Sequence, residues 1–416
     1  MNIMKTYTME LWQERFSSIS KDKIFQRLVL GNFLWSFTHF AFVLVSGWVV
    51  LLLTNSPVKV ILLTFFQFSA LPVVGLIAGK AIDWLGNRTI MLVSQIVYTI
   101  VYVSLAFLIY AEMIRFEHLA ICAIITGIFW SLDWPARRSI LGYVVGENSV
   151  TDGYIIDYTV QTFGRVLGSA AAGIITKILG ETWSYIGFTV LSLLAVCLIW
   201  GLVDYQSRSV NHKANSLVKK PMKFVWKYVL DEKVILGVLF VTMTVNFLVV
   251  PNRSLFPVFA SNILMGDALY LGYLATSYSL GGFIGIFLAY YGLGSHRNTQ
   301  LFLFGTILQS ISFSFFSFSS LLVVSSVVLF LAGIGSAYFG VLQSEIILTH
   351  TSLDMRNDVL GLLVVAIGLQ PLGRLSLSAL TSMVGPRLAL GGTTFVAFLV
   401  LLVVSARLPA LWKDNL

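Results

Sequence analysis

The stretch GKAIDWLGNR, residues 79–88, is a short polar gap between two long apolar stretches. It places Gly79, Asp83, Gly86 and Arg88 in the pattern G-x-x-x-D-x-x-G-x-R. Because apolar helices on both sides have to end at this gap, it predicts a tight turn at a membrane surface. The glycines allow close backbone approach, and Asp83 and Arg88 offer opposite charges to each other or to a neighbouring helix terminus. An ordinary polar turn is the alternative interpretation.

The composition excludes a soluble globule, because 57% of the 416 residues are hydrophobic and only 11% are charged. Apolar runs of about 20 residues or more recur along the chain, long enough to cross a bilayer as helices and without the alternation of barrel strands. We predict an all-α membrane protein with twelve transmembrane helices. These spans, numbered 1 to 12, are predicted at 27–54, 58–80, 88–110, 117–146, 150–178, 182–203, 233–262, 267–293, 298–318, 321–349, 356–383 and 386–407.

The basic residues predict the orientation. With a cytoplasmic N-terminus, most of the 27 Lys and Arg residues lie in cytoplasmic tails, loops or helix ends, whereas Lys59, Arg115, Lys177 and Arg387 lie on the other side. We therefore expect a multi-pass protein of the cell (inner) membrane with both termini in the cytoplasm. The net charge of +8 then reflects topology, and no nucleic-acid partner is expected.

The polar segment 204–232 divides the spans six and six. Its Lys and Arg residues indicate either a tether on anionic lipid or a docking site for another protein. The predicted organisation is listed in chain order: an N-terminal tail at 1–26, a six-helix bundle at 27–203, the basic linker at 204–232, a second six-helix bundle at 233–407 and a C-terminal tail at 408–416.

The two bundles resemble repeats. One constant offset aligns Arg88 with Arg297 and also aligns Gly164-Arg165 with Gly373-Arg374. Because six is an even number of spans, both halves start on the same membrane side, which predicts two parallel repeats around a central cavity.

Four sequence motifs resemble a known transporter family. The stretch at 79–88 is similar to the loop motif between helices 2 and 3 of the major facilitator superfamily. LLLTNSP (51–57), WPARRSILGYVVGENSVTDG (134–153) and GRVLGSAAAG (164–173) resemble its bacterial exporter branch, which includes enterobactin-exporter-like and macrolide-efflux-like proteins of the transmembrane secretion effector type. Ser169 departs from that pattern, since the branch usually has proline there.

The resemblance implies the superfamily fold over essentially the whole chain. Spans 3, 6, 9 and 12 are then expected on the lipid side, with the cavity lined by the others and the seam between halves formed by spans 2, 5, 8 and 11. GxxxG pairs in spans 2, 5 and 8 predict close helix contacts; they are Gly75 with Gly79, Gly164 with Gly168, and Gly281 with Gly285.

Acids and a histidine inside the spans are the proton-coupling candidates, because charge in a membrane is costly unless it faces water or protein. Asp133 in span 4 is the leading one, since a carboxyl there can bind and release a proton as the cavity opens to either side. A structural ion pair with Arg137, one turn away, and a cytoplasmic gate contact are its alternatives. Asp157, Glu345 and His39 are further candidates; gate pairs are the alternative for the two acids, and a hydrogen-bonded core residue for His39.

Span 5 carries a polar stripe of Asp157, Gln161, Arg165 and Ser169, which must face other helices or water. Gln161 and Arg165 are therefore substrate-cavity candidates. Arg165 is deep enough to attract an anionic substrate or to pair with Asp133, and the sequence leaves both interpretations open.

Span 7 supplies Asn252 and Arg253 as cavity candidates, because Pro251 predicts a broken turn with freed carbonyls. A snorkelling Arg253 held near the outer surface is the alternative. Arg374, the repeat partner of Arg165, has the same two interpretations. The aromatics of spans 1 and 4 predict an apolar cavity wall; the tryptophans among them are Trp35, Trp130 and Trp134.

The sequence contains no Walker loop, metal-ligand cluster or nucleophile elbow, so we expect no enzyme activity, no cofactor and no metal. Its two cysteines fall within spans and predict no disulfide. We predict a secondary transporter that exports a small amphipathic molecule, of the siderophore or drug class that the resemblance implies, in exchange for protons. A lysophospholipid flippase and a non-transporting receptor or scaffold are the alternatives. The expected partners are a small-molecule substrate, protons and membrane lipids, and the expected state is a monomer.

Overall fold

The computed structural model describes residues 22–145, 150–202, 222–292, 298–352, 355–408 and 411–412, which form helices and turns without a strand among them. Most of the predicted tails and of the linker at 204–232 lies outside the described residues, as does Arg297. The membrane-spanning helices are α1 (Lys23–Thr54), α2 (Pro57–Ser69 and Leu71–Leu85), α3 (Asn87–Tyr110), α4 (Phe116–Val145), α5 (Val150–Leu179), α6 (Glu181–Trp200), α7 (Lys233–Ile263), α8 (Ala268–Gly292), α9 (Asn298–Phe318), α10 (Leu322–His350), α11 (Arg356–Ile367 and 370–384) and α12 (386–407).

The last two spans are separated at Gly385. Eleven stretches of the described residues are long and apolar enough to cross a membrane, and the last of them covers 50 residues. Gly385 interrupts that stretch with φ 80° and ψ 166°, and Pro386 follows it. Only glycine adopts this backbone region readily, and proline cannot continue the hydrogen bonding of a helix that precedes it. The predicted architecture of twelve spans is confirmed on this basis.

Turn residues account for the boundaries of the first spans. Asp22 begins α1 by accepting a hydrogen bond from the backbone nitrogen of Ile24 at 2.7 Å. Asn55 ends α1 in the left-handed conformation, and Ser56 and Pro57 then start α2 as N-cap and first helical residue. Gly86, with φ 81° and ψ 151°, makes the predicted tight turn between α2 and α3.

Prolines break two spans near their midpoints. The two segments of α2 meet at Ala70 just before Pro72, and those of α11 meet at Gly368 and Leu369 just before Pro371. The missing proline N–H removes one backbone hydrogen bond in each case, so the inner segment can tilt away from the outer one.

The helices pack into two bundles, α1–α6 and α7–α12. Inside the first, α1 packs on α5 and α3 on α6; inside the second, α8 and α9 both pack on α10. The repeat relation extends to this packing, because Gly164 of α5 lies against the backbone of α1 at Phe33 and Gly373 of α11 lies against the backbone of α7 at Phe247.

The bundles join through α5 with α8 and through α2 with α11. We call the face with Lys23 and Arg407 the inner face, and the face with the turns at Asn55 and Gly385 the outer face. Near the outer face, Lys177 of α5 forms a salt bridge of 2.6 Å with Asp267, and hydroxyls of Thr64 and Ser254 lie 2.7 Å apart.

Toward the inner face the bundles part. The inner segment of α2, Leu71–Leu85, makes its main contacts with α3 and α4 of its own bundle. The inner segment of α11, Arg356–Ile367, makes its main contacts with α7 and α10 of the other bundle. The described helices are therefore closed together near the outer face and open toward the inner face.

The GxxxG prediction is only partly right. Gly168 packs on α1 and Gly281 on α10, both within their own bundles, and no atom lies within 4 Å of a Cβ built on Gly79. The close backbone contact between bundles is instead Gly173 with Gly272, where a Cβ on Gly173 would lie 2.6 Å from the Cα of Gly272. Periodicity identified small residues but could not assign their partners.

Candidate functional site

A buried ion pair lies in the first bundle. Asp133 and Arg137 of α4 are 0% and 2% exposed, and Arg137 Nε donates to Asp133 Oδ2 at 2.9 Å. The remaining guanidinium nitrogens donate to Asn32 Oδ1 at 2.8 Å and to Gln95 Oε1 at 3.2 Å. Asp133 therefore forms the structural ion pair with Arg137 that the sequence analysis gave as an alternative. The other interpretation, an ion pair between Asp133 and Arg165, is wrong, because Arg165 contacts Phe40 instead.

Asn32 connects this pair to a second acid. Its side-chain nitrogen donates to Asp157 Oδ1 at 2.7 Å, and Gln161 Nε2 donates to Asp157 Oδ2 at 2.6 Å. Asp157 is 3% exposed, so both of its oxygens are satisfied inside the protein. Asp133 differs, because its buried Oδ1 has no hydrogen-bond partner among the described residues.

His39 lies in a stack of aromatic rings beside this network. Its ring stacks on Trp35 at 5.6 Å and on Trp130 at 6.2 Å, and Trp130 continues to Trp134 at 6.2 Å. Trp35 also lies 4.9 Å beneath the Arg137 guanidinium and is 3% exposed, so it belongs to the interior of its bundle and does not line the space between bundles.

A polar cavity of about 170 Å³ lies in the second bundle beside the seam. Asn246 and Arg253 from α7, Gln343 from α10 and Gln370 from α11 line it, and Tyr158 from α5 contributes a wall from the first bundle. Gln370 Nε2 donates to Asn246 Oδ1 at 2.9 Å, which holds the two amides in place. The cavity thus offers hydrogen-bonding amides and one guanidinium at the place where the halves meet.

The irregular course of α7 places Arg253 at this cavity. After Lys233–Thr244 the helix widens to a π-helix at Val245–Val249 and tightens to a 3₁₀-helix at Val250–Leu255, as the broken turn at Pro251 predicts. Asn252 satisfies the freed carbonyl of Leu248 at 2.7 Å and is 0% exposed. Asn252 therefore supports the helix break, and the expectation that it lines the cavity is wrong.

Three arginines lie on helices that border the seam. Arg165 lies 4.2 Å from the ring of Phe40, Arg374 lies 4.3 Å from the ring of Phe68, and Arg253 lies 5.7 Å from the ring of Tyr278. Arg253 is an electrostatic neighbour of both other arginines. Among the described residues none of the three forms a salt bridge.

Two of these arginines, Arg165 and Arg374, end a five-residue motif that occurs twice in the chain. QTFGR at 161–165 and QPLGR at 370–374 share glutamine, glycine and arginine at the same spacing. In both copies a side-chain amide from the bundle's first helix, Asn32 of α1 or Asn246 of α7, belongs to the same hydrogen-bond network as the glutamine. Comparing whole five-residue windows, instead of the Gly-Arg pair alone, could have found Gln370.

The gating candidates lie apart from one another at the inner face. Asp83 is exposed and makes no hydrogen bond or salt bridge to another described residue, whereas Arg88 donates to the Trp200 carbonyl at 2.6 Å. Gly86 forms the turn, and Gly79 has open space around it. Glu345 is half-buried near the inner end of α10 and accepts from Asn298 Nδ2 at 3.0 Å within its own bundle.

Comparison with known proteins gives a consistent picture of the fold. The family profile of the Major Facilitator Superfamily matches residues 28–369. The solved structure of the nucleoside transporter NupG aligns with a TM-score of 0.68 at 14% identity, covering 94% of this chain and 100% of that chain. A search of curated protein sequences finds no significant match.

Two further structures have the same fold. The D-xylose-proton symporter aligns with a TM-score of 0.69 at 14% identity, covering 94% of this chain and 97% of that chain. A bacterial homologue of the human lysosomal transporter Spinster, in an inward-facing and unoccupied conformation, aligns with a TM-score of 0.66 at 14% identity, covering 94% and 95%. At this identity the likeness establishes the fold and leaves the substrate open.

Proposed function

Because the chain belongs to the major facilitator superfamily, we propose that it is a secondary transporter that exports a small amphipathic molecule by alternating access in exchange for protons. The observation that carries this proposal is the polar cavity beside the seam, which residues of the second bundle line together with Tyr158 of the first. It adjoins helices that are closed near the outer face and parted toward the inner face. A cavity between two bundles that can rock is the arrangement that alternating access requires.

The proposed orientation places the inner face in the cytoplasm of a cell whose inner membrane holds the protein. It rests on the excess of Lys and Arg toward that face. The described conformation is then open to the cytoplasm, ready to receive a molecule for export. Asp83 and Arg88 are proposed to make their gate contacts in the opposite conformation, because Asp83 has no partner among the described residues here.

Asp133 is the proposed proton carrier. Its Oδ1 is buried without a partner, so protonation there would leave the hydrogen bond from Arg137 to Oδ2 in place. Such a group can exchange a proton when the surrounding helices move and water reaches it. Asp157 serves as the control for Asp133: it is also a buried acid, but both of its carboxylate oxygens already accept hydrogen bonds from amides.

The test is proton flux in inside-out vesicles with an acid interior, challenged with siderophores, macrolides and lysolipids. Wild type, Asp133→Asn and Asp157→Asn are measured in parallel with verified folding. We expect compound-dependent proton release that Asp133→Asn abolishes. Release that survives in Asp133→Asn would move the proton site elsewhere, and no release with any compound would argue against antiport.

A further inference from the structure

The transport proposal leaves the chemistry of the transported molecule open, and the arginines at the seam bear on it. Arg165 comes from α5 of the first bundle, and Arg253 and Arg374 come from α7 and α11 of the second. Arg374 is 4% exposed and its Nε has no hydrogen-bond partner among the described residues. The buried Nε of Arg165 also has none.

Burying these three guanidinium groups without an anion costs the protein desolvation free energy. A guanidinium in a membrane interior needs an anion, good hydrogen bonds or water to offset its desolvation. The hydrogen bonds present are long, at 3.4 Å from Arg374 Nη1 to Gln370 and 3.4 Å from Arg253 Nε to the Val250 carbonyl. Aromatic rings beside the arginines offset part of the cost by cation–π attraction, but they do not neutralise the charge.

The first bundle shows the contrasting solution. There the buried Arg137 is neutralised by Asp133 at 2.9 Å and its other nitrogens reach amide oxygens. The sequence therefore provides a carboxylate for the buried arginine inside a bundle and provides none, among the described residues, for the three at the seam. Two of the arginines without a carboxylate lie at the cavity or next to it. Arg253 lines the cavity, and Arg374 donates a hydrogen bond to Gln370, which also lines it.

We propose that Arg165, Arg253 and Arg374 bind the anionic group of the transported molecule, a carboxylate or a phosphate, so that the substrate is an amphipathic anion. This inference rests on the transport function proposed above. The amides of Asn246, Gln343 and Gln370 donate to the anion's remaining oxygens. The apolar part of the molecule lies against the rings that flank the arginines.

An anion at this place also couples binding to the movement of the bundles. Arg165 and Arg253 are electrostatic neighbours on opposite bundles, and Arg374 of the second bundle stacks on Phe68 of the first. Without an anion these like charges oppose any rearrangement that brings them closer, whereas an anion between them attracts both bundles. Occupancy of the site therefore favours closure around the substrate.

The test is equilibrium dialysis of wild-type protein in phosphatidylcholine nanodiscs with four probes that share one aromatic body. The anionic probes are 2-naphthyl phosphate and 2-naphthoate, and the others are 2-naphthalenemethanol and 2-naphthylmethylamine. We expect both anions to bind at least about tenfold more tightly than the neutral and cationic probes. Equal binding of the neutral or cationic probe would overturn the inference, and this comparison needs no variant.

Variants then locate the binding. Arg253→Gln and Arg374→Gln are expected to weaken 2-naphthyl phosphate binding about tenfold or more, while the control Arg387→Gln leaves it unchanged. Arg387 is a suitable control because it lies near the outer face and donates to Ser320 Oγ at 2.7 Å. Unchanged binding in the folded Arg253 and Arg374 variants would overturn the assignment.

Gln370→Glu tests directly whether an anion binds beside Arg374, because it keeps the side-chain shape and places a carboxylate there. An internal anion should compete with the ligand, so we expect weaker 2-naphthyl phosphate binding. Tighter or unchanged binding would contradict the inference. Because dialysis measures binding without transport, anion binding in a protein that shows no proton flux would refute the proposed antiport and leave this inference intact.

Discussion

Lys177 Nζ lies 2.6 Å from Asp267 Oδ2, and this salt bridge joins the outer end of α5 to the start of α8. The two residues belong to different bundles, so the bridge can exist only while the bundles are close together at the outer face. Lys177 and Asp267 are 52% and 39% exposed, which makes the bridge a contribution of about 1 kcal/mol or less. A contribution of that size can still shift a balanced equilibrium between two conformations.

Neutralising this bridge should favour opening at the outer face. We expect Lys177→Gln and Asp267→Asn each to lower the population closed at the outer face, by up to about fivefold in the equilibrium constant. Distances between spin labels on the outer ends of α5 and α8 measure the two populations. The charge-exchanged double variant Lys177→Asp with Asp267→Lys should recover part of the closed population, and failure of both single variants to shift it would argue against a gating role.

The same bridge predicts a pH dependence. The hydrogen bond from Lys177 lowers the pKa of Asp267 below its ordinary value of 3.8, and the backbone N–H of Leu269 adds to the effect. A lowered pKa in the closed form means that the bridge contributes fully above the ordinary pKa and is lost as the pH falls through the lowered one.

The closed population should therefore stay constant across neutral pH and fall once the pH drops below about 4. Spin-label distances at stepwise lower pH, with Lys177→Gln as the reference, measure this dependence. The variant should lose most of the acid response, and an identical response in both proteins would place its origin in other groups. Raising the salt concentration should weaken the bridge at neutral pH, since both partners are exposed.

The glycine contact between bundles should be intolerant of side chains. A Cβ on Gly173 would lie 2.6 Å from Gly272 Cα, so Gly173→Leu should prevent close approach and hold the outer face open. Labelling of a single cysteine at the buried Ser254, with Cys122 and Cys197 replaced, should become faster. Gly187→Ala is the control, because no atom lies within 4 Å of its Cβ; unchanged labelling in the Gly173 variant would refute the role of this contact.

The Asp133–Arg137 pair should show non-additive stability effects. Asp133→Asn leaves Arg137 buried with no carboxylate at its side, which typically costs about 3–5 kcal/mol. The double variant Asp133→Asn with Arg137→Gln removes both charges and should lose less stability than the single one. Thermal unfolding in detergent measures both, and equal losses in the two proteins would mean that Arg137 is stabilised mainly by Asn32 and Gln95.

Local features of the sequence are sufficient to predict the twelve spans, the turn at Gly86 and the break of α7 around Pro251. These features depend on local physics: apolar length against bilayer thickness, a backbone conformation that only glycine adopts readily, and a proline that lacks an N–H. The sequence also indicated that Asp133 could pair with Arg137, because residues four apart on a helix share a face.

Contacts between side chains of different helices could not be predicted from the sequence and are known from the three-dimensional packing. It directed Arg165 to Phe40 instead of Asp133, put Trp35 and Asn252 inside their bundles, and brought Gly173 against Gly272. Inside a membrane every helix is apolar on most faces, so hydropathy gives little information about which face meets which neighbour. The polar cavity follows from the packing of helices from both bundles, and that packing is a property of the assembled chain, which no single stretch of sequence encodes.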